Sequence, residues 1–80
     1  MPTVFRHDGF RFFFYSNEGD PREPMHIHVM GDGGEEKFWL SPGVALEGST
    51  GLDARTLRRL TQVVEDRRGE IERAWHDYFA

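Results

Sequence analysis

The chain has 80 residues, no cysteine, 14% aromatic residues and a formal net charge of −4, which leaves room for one small domain. The lack of cysteine excludes disulfides, thiolate metal sites and a cysteine nucleophile, and the acidic balance argues against nonspecific nucleic-acid binding, which needs a basic surface to displace counterions. No apolar run approaches the roughly 18 residues of a membrane span, and Met1-Pro2-Thr3-Val4-Phe5-Arg6-His7-Asp8 lacks the order of a secretory signal, so a soluble cytoplasmic protein with no membrane partner is expected.

The acidity belongs to the front of the chain. Residues 1–52 hold four bases (Arg6, Arg11, Arg22, Lys37) against eight acids, whereas residues 53–80 hold six of each. Arg55, Arg58 and Arg59 form a local basic run, which reads first as a solvated helix face.

Two strand-forming runs, about 3–6 and 10–15, flank Asp8-Gly9, a hairpin signature. Ser16 through Pro24, rich in Asn, Gly, Asp and Pro, reads as a loop, and its length is of the kind that carries function. His26-Ile27-His28-Val29-Met30 alternates, Gly31-Asp32-Gly33-Gly34 turns the chain, and Glu35 to Leu40 returns, giving strands at about 26–30 and 35–40. Val44-Ala45-Leu46-Glu47 adds at most a short edge strand before Gly48-Ser49-Thr50-Gly51. From Asp53, a good N-cap, Leu57, Leu60, Val64, Ile71, Ala74, Trp75 and Tyr78 recur at helical spacing, predicting a helix over about 54–79 with a weak point at Gly69. The expected fold is α+β: a small, mainly antiparallel sheet of three to four strands with a long C-terminal helix packed on one face, in a single domain over 1–80.

Both sheet faces are partly apolar. Phe10, Phe12, Phe14, Ile27, Val29, Phe38 and Leu40 share the face expected beneath the helix, which leaves Phe13, Tyr15, His26, His28, Met30 and Trp39 on the other. A helix of that length would run roughly 39 Å and overhang strands of roughly 20 Å. Its end, with Trp75 and Tyr78, would then be left uncovered. So much apolar surface on so short a chain predicts a covering partner, either a second copy or a small protein, with Phe13, Tyr15, His26, His28, Trp39 and Trp75 as binding candidates. Ordinary surface aromatics lying flat on a small sheet are the plainer alternative.

His26 and His28, two apart on a strand, have the only metal-like spacing in the chain. Glu18 and Glu23 could add carboxylates, but the pair alone is a weak signal and no cofactor is expected. With Arg11 and Tyr15, the two imidazoles instead offer a metal-independent ribonuclease, one ring acting as base and the other as acid. Nothing in the spacing demands that chemistry. No phosphate-binding glycine loop or nucleophile elbow is present.

Phe10-Arg11-Phe12-Phe13-Phe14-Tyr15-Ser16-Asn17-Glu18, Glu23-Pro24-Met25-His26-Ile27-His28-Val29, Glu36-Lys37-Phe38-Trp39-Leu40 and the ending Glu70 to Phe79 together resemble the small bacterial proteins grouped as domain of unknown function 4160. Met25 departs from the second proline expected there. The resemblance implies no established activity. It implies a pairing with domain of unknown function 2442 in an arrangement similar to a toxin-antitoxin module. A protein-interaction role is therefore the leading expectation, with the ribonuclease and the His-x-His metal site as alternatives.

Overall fold

A computed structural model describes residues 3–15 and 23–79. The order is β1 (Thr3–His7), β2 (Phe10–Phe13), β3 (His26–Gly31), β4 (Gly34–Trp39), β5 (Ala45–Thr50), α1 (Ala54–Asp66) and α2 (Arg68–Phe79). The strands form one antiparallel meander in which each lies beside its neighbour in sequence. Two of the turns follow from their residues. His7 pairs with Phe10 and Gly31 with Gly34, so Asp8-Gly9 and Asp32-Gly33 are two-residue loops. Both residues of each loop have positive φ, which Asp and Gly tolerate and which matches the twist of the flanking strands.

The fold is α+β as expected, but the described residues form five strands and two helices. Gly48-Ser49-Thr50 reads as a chain breaker, yet here it continues β5, because pairing to β4 outweighs its poor strand propensity. The predicted single helix breaks at Arg67, whose φ of −108° and ψ of 18° leave the helical region two residues before Gly69. The helical path is interrupted there, and Ile71 and Trp75 of α2 are buried in the same core as Leu60 and Val64 of α1. Ion pairs on these helices run Arg67 to Glu70 and Arg68 to Glu72, close to the break.

The core lies between the helices and one sheet face. It gathers Phe5, Phe10, Phe12, Phe14, Ile27, Val29, Phe38 and Leu40 with the four buried helix residues, the face assignment that alternation predicts. Phe5 stacks on its cross-strand neighbour Phe12 at 4.4 Å, and the Arg67 guanidinium lies 3.5 Å from the Phe5 ring centroid, holding the helix junction over β1. Asp53 caps α1 by accepting from the Thr56 amide at 2.8 Å.

Gly51 makes the entry to α1. Its φ is +80°, and a Cβ there would lie 2.7 Å from the Gly33 carbonyl oxygen, a backbone atom that cannot swing away. Gly51→Ala is therefore expected to cost about 2 kcal/mol or more, combining the left-handed penalty with the collision, as a shift in the urea midpoint would show.

Candidate functional site

The face turned away from the helices is built from alternate residues of the middle strands. Register places Phe13 beside His28, His28 beside Lys37, and Arg11 beside Met30 beside Glu35. Around His28 these groups converge. The Tyr15 ring stands edge-on to it at 4.5 Å, Phe13 stacks at 5.6 Å, and its Nδ1 lies 3.9 Å from the Glu35 carboxylate, to which the Tyr15 hydroxyl donates at 3.2 Å. Arg11 lies over Phe13 and Lys37 over Trp39, each 4.4 Å from the ring centroid, and Lys37 also pairs with Glu23 at 3.2 Å. Each cation thus covers an aromatic ring.

This packing overturns the expectation of a broad bare aromatic patch. Phe13 and His26 are 0% exposed and His28 only 7%, while Tyr15 and Trp39 are half-buried. Among the described residues the exposed large apolar side chains are Met30, Leu46 and Tyr78, scattered over different elements. Trp75 is no surface anchor either: it packs in the core against Phe14 at 5.3 Å and His26 at 5.0 Å.

His26 points its chemistry inward. Its Nδ1 donates to the Pro24 carbonyl at 2.8 Å, and its ring is enclosed by Trp39, Trp75 and His28. An acid-base pair needs two rings open to one substrate; His26 is fully buried, while His28, 7% exposed, borders a groove. Among the described residues no group of three or more His, Asp or Glu side chains is placed to share a cation; Glu23 is taken by Lys37, and Glu18 lies outside the described residues.

Two features escape a reading of residue types. The first is Glu36, which pairs with Val29 and so belongs to the core face; it is 1% exposed, with neither carboxyl oxygen hydrogen-bonded. Burial pushes its carboxyl up to about 7. The signal was its place two residues before Phe38, which fixes the shared face.

The second is β5. It closes the sheet order, and all six of its residues, Ala45–Thr50, are exposed. A register shift sets Leu46 beside Phe38 and Gly48 beside Lys37, leaving Glu47 as a bulge. Beside β5, His28, Glu35, Glu36 and Lys37 of the inner strands and Glu47 to Thr50 line a groove of about 380 Å³.

A five-strand antiparallel meander roofed on one face by two C-terminal helices, with an uncovered last strand, defines a small α+β protein. The chain belongs to the family described as domain of unknown function (DUF4160), whose model matches residues 9–76. No curated protein and no solved structure matches it significantly. No described helix is long and apolar enough to cross a membrane.

Proposed function

We propose that this protein is a protein-interaction module and that β5 is its docking edge. The observation that carries the reading is the exposure of the whole strand at the end of the sheet order, where the backbone donors and acceptors of alternate residues face outward without a neighbouring strand. Proteins usually blunt such an edge with lysine, proline, a bulge or a cover. β5 has no lysine, proline or cover; its one bulge and its one charged side chain both fall at Glu47. An extended segment of another chain would complete the sheet by backbone hydrogen bonding, with pockets on either side reading its side chains. The packing of the aromatic face directs attention to the sheet edges, and of the two edge strands β5 is exposed at all six residues whereas β1 has Phe5 buried. An edge of this kind suits one half of a toxin-antitoxin-like pair in the cytoplasm, the arrangement the family resemblance implies, and equally a homo-oligomer.

A photo-crosslinking residue in place of Glu47, in native cells, is expected to trap a discrete protein product, whereas the same residue at exposed Glu65 on α1 traps none. Folded protein that crosslinks at neither position, or equally at both, overturns the reading.

A further inference from the structure

The partner's chemistry can be read from the groove that runs beside the docking edge, an inference that rests on β5 being that edge. Side chains of an added strand that face away from the helices would lie alongside Ala45, Gly48 and Thr50, whose β4 neighbours on that face are Trp39, Lys37 and Glu35. Gly48 has no side chain, and a Cβ built there meets nothing within 4 Å, so the groove is open toward the strand's outer side at this point. Gly48 therefore offers a long side chain an open passage across β5.

The charges around that passage are unbalanced. The Lys37 ammonium is already answered by Glu23 at 3.2 Å and rests on Trp39. Glu35 receives the Tyr15 hydroxyl, a neutral donor, and has His28 3.9 Å away, which adds a counter-charge only when protonated. Glu47 makes no ion pair with a described residue. The groove thus presents two carboxylates, Glu35 and Glu47, while its lysine is held by Glu23.

We infer that β5 accepts an extended basic segment of another protein, which adds as a sixth antiparallel strand and sends one arginine or lysine side chain over Gly48 into the groove between Glu35 and Glu47. The backbone of such a segment supplies the pairing and its cation the selectivity. Self-pairing of two copies lacks this complementarity, because β5 itself carries Glu47 and no base.

The test uses two capped synthetic peptides of about eight residues, long enough to run the roughly 20 Å of β5. Both alternate valine or threonine with a charged residue, arginine in one and glutamate in the other, and each is titrated into the full isotope-labelled chain. The arginine peptide is expected to shift the amides of Ala45–Thr50 and slow their exchange, with the glutamate peptide about tenfold weaker. Gly48→Val, which fills open space, is expected to keep the circular dichroism and weaken the arginine peptide about fivefold. Glu47→Gln is expected to weaken it and to flatten its salt dependence. Equal binding of both peptides at β5, or no effect of Gly48→Val, leaves strand addition standing and removes the basic anchor. If neither peptide perturbs β5, both readings fall. If β5 amides shift with protein concentration alone, a second copy is the occupant and the basic segment is excluded.

Discussion

Raising the pH from about 4 to about 8 is expected to cost the fold about 3 kcal/mol through Glu36 alone, and Glu36→Gln is expected to abolish that part of the loss. The unfolded chain releases this proton near the ordinary value of 4.5, whereas burial holds it in the folded state to about 7. Between those values the unfolded form binds fewer protons than the native one, so stability falls as pH rises, and the loss is complete once the folded group has ionised. The cause is structural: the carboxyl sits on the core face with neither oxygen hydrogen-bonded, and ionising it there buries an uncompensated charge. Glutamine keeps the size of the neutral acid and cannot ionise. Urea unfolding of both proteins at the two pH values measures the effect, and parallel pH profiles would refute it. For a domain of this size, a loss of about 3 kcal/mol is a large share of the total.

Replacing Trp75 by alanine is expected to remove about 3–5 kcal/mol, enough to unfold much of the population at room temperature. Trp75 is the residue on which α2 turns: its ring lies 5.3 Å from Phe14, 4.3 Å from Phe79 and 5.0 Å from His26, joining helix, core and the buried end of the histidine pair. Its loss leaves a cavity that three aromatic partners line and none can fill. Tyr78→Ala, at an exposed neighbour, should stay within about 1 kcal/mol of the parent. Thermal melts followed by circular dichroism distinguish the two, and a Trp75→Ala protein as stable as the parent would contradict this account of how α2 is held.

The turns were legible because local chemistry decides them: Asp-Gly, with positive φ at both residues, builds a two-residue hairpin in almost any context. The core face was legible for a similar reason, since alternation alone places Phe12, Val29 and Phe38 together. What resisted reading was decided at a distance. The strand character of Gly48-Ser49-Thr50 exists only through pairing with Glu35, Glu36 and Lys37. The helix break is set by the need of Ile71 and Trp75 to reach the sheet, and Gly69 only hinted at it. Of the site, alternation placed Phe13, Tyr15 and His28 on one face, but not the cover that Arg11 gives Phe13 or the contact between Glu35 and Tyr15. His26 was misjudged as surface because a strand's first residue can be enclosed by an element far along the chain, here Trp75.

Among the described residues every strand precedes both helices in the chain. Synthesis from the amino end therefore delivers the meander first, and hairpins of such short range can form as soon as they emerge. Until Leu60, Val64, Ile71 and Trp75 follow, Phe12, Ile27, Val29 and Phe38 have no roof. A chain that has formed the meander but not yet packed the helices thus exposes this apolar face to water and is expected to be aggregation-prone until they dock.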